Sequence, residues 1–142
     1  MEIIRLLHIR HYDRRKQRFT SPAFKNFGNG ISVIDQQCIS NSGRTICEHI
    51  IAYYQSVASE PPIFWQFSSD ILPQRSSIVP EVSTTGDICH YNIQGLSDKQ
   101  ARQFFKEYCC GITQLLICRP DGNCCAPSLQ QLQQLSIDII NI

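Results

Sequence analysis

The apolar positions of this chain come in short runs, parted by polar stretches rich in glycine, proline and serine. Residues 2–10 (Glu-Ile-Ile-Arg-Leu-Leu-His-Ile-Arg) are dense in aliphatic side chains and predict a first strand. A polar loop over 11–20 follows. Ser21-Pro22 then pairs a capping serine with a proline at a first helical position, and Ala23, Phe24 and Phe27 dock that turn on the core. Gly28-Asn-Gly30 ends the turn, and Ile31–Ile34 predicts a second strand. After the loop Asn41-Ser-Gly43, apolar residues at 46, 50, 54 and 57 predict a helix from Arg44 to Ala58, which Pro61-Pro62 stops. Ile63–Phe67 is a short aromatic strand. Residues 68–85 carry Pro73, Pro80 and many Ser and Thr, and read as the most irregular and mobile part.

The second half repeats the rhythm. Ile88–Ile93 predicts a strand closed by Gly95. Ser97-Asp-Lys-Gln100 is a capping-box pattern opening a helix over Asp98–Cys109, with Ala101, Phe104, Phe105 and Tyr108 as its buried stripe and Gly111 as its cap. Gln114–Cys118 is another strand, and Pro120-Asp-Gly-Asn123 a turn. Ser128-Leu-Gln-Gln131 opens a short helix with Leu129, Leu132 and Leu135, and Ile137–Ile142 reads as a last strand or a helix end. Strands and helices without a regular βαβ alternation predict an α+β fold: a small, largely antiparallel sheet packed against two main helices. No composition break divides the 142 residues, so one domain is expected, with a core over about 1–118 and a Cys- and Gln-rich tail over 119–142.

Charge changes the picture at one end. Residues 1–25 hold seven Lys/Arg against two acids, whereas the rest of the chain is net acidic. Arg14, Arg15, Lys16 and Arg18 concentrate that surplus. A basic loop of this kind faces water, or meets phosphates or an acidic partner. Nucleic acid through residues 11–18 is therefore one expected partner class. No apolar run reaches the length of a membrane span, and the opening Met1-Glu-Ile-Ile-Arg reads as a strand and not an export signal. These readings predict a cytoplasmic protein without a membrane partner, and hence reduced thiols for its eight cysteines.

Reduced cysteines act mostly as small buried hydrophobes. No Cys-x-x-Cys occurs, and the nearest approach to a structural zinc site is Cys118, Cys124 and Cys125 across the Pro-Asp-Gly-Asn turn, with Cys109, Cys110 or His90 completing it. No other cofactor is expected. A cysteine nucleophile needs a nearby imidazole, yet Cys47/His49 and Cys89/His90 diverge on their predicted elements, leaving Cys38 or Cys47 with a distant His90.

Histidine and arginine offer a second chemistry. On a regular strand His8 and Arg10 share one face, and Arg5 and His11 the other. A His–Arg pair binds phosphate or polarises a reacting oxygen, with His90 and Glu48 as distant partners. The weak catalytic candidates are thus His8, Arg10 and His90, set against a plain solvated edge strand. Asp87, just before the predicted strand, is expected to cap its own backbone. No Gly-rich phosphate loop, H-E-x-x-H helix or G-x-S-x-G elbow is present.

His8-Ile-Arg10, Ser21-Pro-Ala-Phe24, Gly30-Ile-Ser-Val33, Asp87-Ile-Cys-His90 and Gly95-Leu-Ser-Asp-Lys-Gln-Ala101 follow one another in the order seen in a family of small bacterial proteins with S-x-A-F, G-x-S-V and D-x-x-H signatures. The chain resembles that family over residues 5–110. The resemblance implies a small bacterial protein, and it brings no reaction with it.

Two functions are therefore expected. The leading one is a non-enzymatic protein-interaction module within a multi-protein bacterial system, with Trp65 and Arg14, Arg15, Lys16 and Arg18 in its binding surface. The alternative is a small phosphate-handling, RNA-processing or RNA-binding factor using His8, Arg10 and His90.

Overall fold

The computed structural model describes residues 1–25, 30–109 and 115–140. Phe27, Gly28-Asn29, Cys110, Gly111, Gln114 and the last two residues, all invoked above, lie outside them. The strands are Glu2–Leu7 (β1), Tyr12–Asp13 (β2), Arg18–Phe19 (β3), Ile31–Asp35 (β4), Ile63–Ser68 (β5), Ser77–Pro80 (β6), His90–Gln94 (β7), Leu115–Cys118 (β8) and Cys124–Cys125 (β9). The helices are Gln36–Asn41 (α1), Ile46–Tyr54 (α2), Asp98–Tyr108 (α3) and Leu129–Ile140 (α4). Seven strands form one sheet in the order β6-β7-β4-β1-β5-β8-β9, and every neighbouring pair runs antiparallel. The hairpin β2–β3 stands apart. The fold is the expected α+β type, with helices on both faces of the sheet.

The period-2 alternation of the central strands explains the two layers. On β1 and β5, Ile3, Leu7, Ile63, Trp65 and Phe67 point to one side, where they meet Phe104 and Phe105 of α3 and Leu132 of α4. Ile4 and Phe64 point to the other side, against Ile39 of α1 and Ile50 and Tyr54 of α2. A strand buried on both faces needs a continuous apolar run, which is why Ile63–Phe67 was legible as a strand. The first side is aromatic: Trp65 stacks on Phe67 at 4.0 Å between centroids and meets Phe24 edge-on at 5.8 Å. Each such side chain contributes about 1.5–3 kcal/mol relative to exposure. Leu132, fully buried, carries the 119–142 segment into this core.

Local chemistry sets the boundaries. The capping box at Ser97 and Gln100 starts α3 as predicted, and a second one at Thr45 and Glu48 starts α2. Helix α1, absent from the sequence reading, is capped by the Asp35 carboxylate on the Gln37 N–H. The first strand stops at Leu7, not at residue 10, because the His8 ring accepts the Arg10 N–H at 3.1 Å and folds residues 9–11 into a 3₁₀ turn. Gly30 has φ +104°, and a side chain there would meet the Ile93 carbonyl at 2.7 Å, so only glycine lets β4 enter beside β7. Residues 137–140 continue α4. No helix among the described residues is long and apolar enough to cross a membrane.

Candidate functional site: a cationic cavity at the parting of two strands

Strands β1 and β4 pair only at Ile3–Asp35 and Ile4–Ile34. Beyond that point the Arg5 guanidinium enters between them. It donates from Nη1 to the Ser32 carbonyl at 2.9 Å, and from Nε and Nη2 to the Ala23 carbonyl at 3.2 and 3.0 Å. Burial pushes its pKa down to about 10, so it remains a cation at neutral pH.

The parted strands and the 9–11 turn enclose a cavity of about 330 Å³. Arg5, His8, Arg10 and His11 line it together with Ser32, Tyr54 and Thr85. No acidic side chain lines it among the described residues. Strict strand alternation would have separated these four basic groups onto two faces; the turn after Leu7 gathers them. Burial, then the nearby Arg10, lowers the His8 pKa. Burial and then Arg10, His8 and Arg5 lower that of His11. Burial first, and the neighbouring cations second, disfavour the charged form of both imidazoles, and an anion in the cavity would offset the electrostatic part.

Behind the cavity wall lies a hydrogen-bonded chain. Ser32 lies on β4 two residues from Ile34, the register partner of His90 on β7, so the two side chains share a face diagonally. Ser32 Oγ and His90 Nε2 are 2.5 Å apart. His90 Nδ1 lies 2.5 Å from the Glu81 carbonyl oxygen and 3.3 Å from its carboxylate. A carbonyl can only accept, so Nδ1 carries a proton, and in the neutral form of the ring Nε2 accepts from the Ser32 hydroxyl. The side chains of Ser83 and Thr84 hydrogen-bond the Glu81 carboxylate and hold its pKa at about 2, so it stays ionised. His90 is 3% exposed, whereas Ser32 lines the cavity.

A second network fixes the segment leading into β7. Asp87 is fully buried, accepts from Tyr54 Oη at 2.6 Å and pairs with His49 Nε2 at 2.8 Å. Its other oxygen accepts the Cys89 N–H at 2.8 Å, the expected backbone cap. Cys89 is in turn joined to Cys38 of α1 by a disulfide. Loop 85–89 is thus held to α1 and α2, and His90 follows directly from it.

Several expectations change. Among the described residues Cys38–Cys89 and Cys47–Cys118 form disulfides, so these cysteines are not the reduced thiols anticipated. Cys118 is therefore not a thiolate zinc ligand while its disulfide stands, and neither Cys38 nor Cys47 can serve as a nucleophile with His90. Cys124, directly across from Cys118, and Cys125 keep free thiols. His49, Asp87 and Cys89 offer donor atoms within 4.8 Å of one another, but the Cys89 sulfur is bonded to Cys38 and the other two already pair together. Trp65, expected at a binding surface, is 1% exposed and packed in the aromatic core, because β5 is a central strand. Glu48 is spent on its capping box. Arg14, Arg15, Lys16 and Arg18 are exposed on the β2–β3 hairpin, and Lys16 and Arg18 join Lys106 around a smaller hollow of about 150 Å³.

Ser32, Tyr54 and Glu81 were not singled out by the sequence. The signal for Ser32 was at hand: it is the serine of G-x-S-V, and it touches the histidine of D-x-x-H. Ala23 of S-x-A-F takes Arg5, and His8-Ile-Arg10 forms the rim, so four separated signatures meet at one place. The chain matches no protein-family profile, no curated protein and no solved structure, so the resemblance rests on those motifs alone.

Proposed function

We propose that this protein is a phosphate-handling factor that binds a small phosphorylated ligand in the cavity between β1 and β4. One observation carries the reading: Arg5, His8, Arg10 and His11 surround a single cavity whose described lining holds no acid. Arg5 and Arg10 bring two permanent cations to one cavity, which is unfavourable unless an anion visits, and the exposed Arg10 guanidinium fork suits phosphate oxygens. The volume lies at the lower end of small-ligand sites. The exposed basic hairpin that follows His11 in the chain, with Arg14, Arg15, Lys16 and Arg18, adds positive charge that favours the approach of anions.

The interaction-module reading loses its anchor with the burial of Trp65. The disulfides support folding in an oxidising compartment in place of the cytoplasm. Calorimetric titration with inorganic phosphate and pyrophosphate tests the site. Arg10, exposed at the rim, can be changed with little effect on folding. Arg10→Gln should weaken binding about 10-fold or more, the worth of a charge-assisted hydrogen bond. Absence of binding, or affinity unmoved by Arg10→Glu, contradicts the reading.

A further inference from the structure

We infer that Ser32 is a nucleophile activated by His90, and that the cavity cleaves a carboxylic ester whose acid or alcohol part carries the phosphate. The inference rests on the phosphate-binding reading for its substrate class and on separate geometry for its chemistry. Three features coincide. Ser32 lines the cavity, and its hydroxyl lies 2.5 Å from His90 Nε2. The Glu81 carbonyl, 2.5 Å from Nδ1, fixes the tautomer that leaves Nε2 free to accept a proton, and the Glu81 carboxylate at 3.3 Å stabilises the imidazolium that forms. His90 is buried behind the nucleophile, away from competing water. A nucleophile, a base and an acidic orienter in that order constitute the arrangement of serine acyl-transfer sites, which recurs on unrelated folds.

The steps balance without any oxidant or metal. Ser32 Oγ bonds to the ester carbon, the carbonyl π pair moves to oxygen, and the hydroxyl proton passes to His90 Nε2. The cationic lining stabilises the oxyanion. The carbonyl re-forms as the C–O bond to the alcohol breaks, and the leaving oxygen takes the proton from Nε2. Water then attacks the acyl-serine, gives its proton to Nε2, and the Ser32 oxygen departs with that proton. The products are an acid and an alcohol.

A fluorophosphonate probe reports the activated serine without knowledge of the substrate. The folded, oxidised chain is treated with the probe and analysed by intact mass and peptide mapping. Expected is one adduct on Ser32, lost in Ser32→Ala and formed about 100-fold more slowly in His90→Gln, the scale of a general base. Circular dichroism of both variants confirms that the fold persists. Phosphate titration of Ser32→Ala separates the two readings: retained binding with no labelling of the native chain overturns the nucleophile and leaves the cavity standing. An adduct on another residue, or a rate unmoved by His90→Gln, also overturns it.

Discussion

Asp87→Ala is expected to cost about 3–5 kcal/mol of folding stability, at roughly 1–3 kcal/mol for each buried partner that it leaves unsatisfied. The carboxylate is fully buried, and its loss strands His49, which is 1% exposed, and the Tyr54 hydroxyl. It also frees the N–H of Cys89 at the entrance to β7. Desolvation alone would raise the Asp87 pKa, but the hydrogen bonds from Tyr54, His49 and the Cys89 N–H outweigh it and the net shift is downward. A depressed carboxyl pKa contributes stability that is fully present above the unfolded value near ~3.9 and is lost as pH falls through the folded value. Denaturant melts of the native chain should therefore weaken below about pH 4. Asp87→Asn, which keeps the shape and cannot ionise, should flatten that acid limb. An unchanged limb would mean that Asp87 does not carry it.

Reduction of the two disulfides is expected to be of similar or larger effect. Cys38–Cys89 and Cys47–Cys118 join residues 51 and 71 apart in sequence. Loops of that length correspond to about 2–4 kcal/mol each, chiefly by restricting the unfolded chain. Together they rival the whole stability of a small domain, about 5–15 kcal/mol. Each also ties a helix to the sheet: α1 to the segment before β7, and α2 to β8. A thermal melt with and without a phosphine reductant reads the difference. The account predicts a transition lowered by about ten degrees or more, on the order of 2–4 °C per kcal/mol for a domain near this size. Coincident melts would show that the pairs add nothing to the fold. The paired variants Cys38→Ser/Cys89→Ser and Cys47→Ser/Cys118→Ser apportion the loss between them.

Much of the fold was legible where one physical cause dominates. The run Ile63–Phe67 read as a short aromatic strand and is one, and Ser97 with Gln100 begins a helix as its capping pattern predicts. The error at residues 8–10 has a definite source. Alternation assumes that the backbone stays extended, and the His8 ring overrides it by accepting the Arg10 N–H. That single hydrogen bond converts a two-faced strand into the rim of a cavity. The disulfides were hidden for another reason. Pairing depends on which segments the sheet order brings together, and the apparent lack of an export signal argued for reduced thiols.

The candidate site was half legible. His8, Arg10 and His90 were named from their chemistry, and Asp87 from its place before a strand. Ser32 was not, because a serine within a strand carries no signal until the register of β4 on β7 places it beside His90. Glu81 was equally silent, since it acts partly through its backbone carbonyl, which every residue has. Trp65 misled for the opposite reason. An isolated tryptophan suggests an interface, yet its strand is central and its ring is surrounded by Phe24, Phe67, Phe104 and Phe105.

The most direct test of the cationic cavity is an NMR titration of the His8 and His11 rings against pH, with and without inorganic phosphate. Burial and the neighbouring Arg10 hold both pKa values below the ordinary histidine value. A bound phosphate removes the electrostatic part of that penalty, so the account predicts that both pKa values rise on binding and that affinity increases as pH falls through the histidine range. His49, buried in the Asp87 network, is not among the residues lining the cavity and serves as the internal control. Titration curves for His8 and His11 that do not move with phosphate would contradict the claim that this cavity exists to hold an anion.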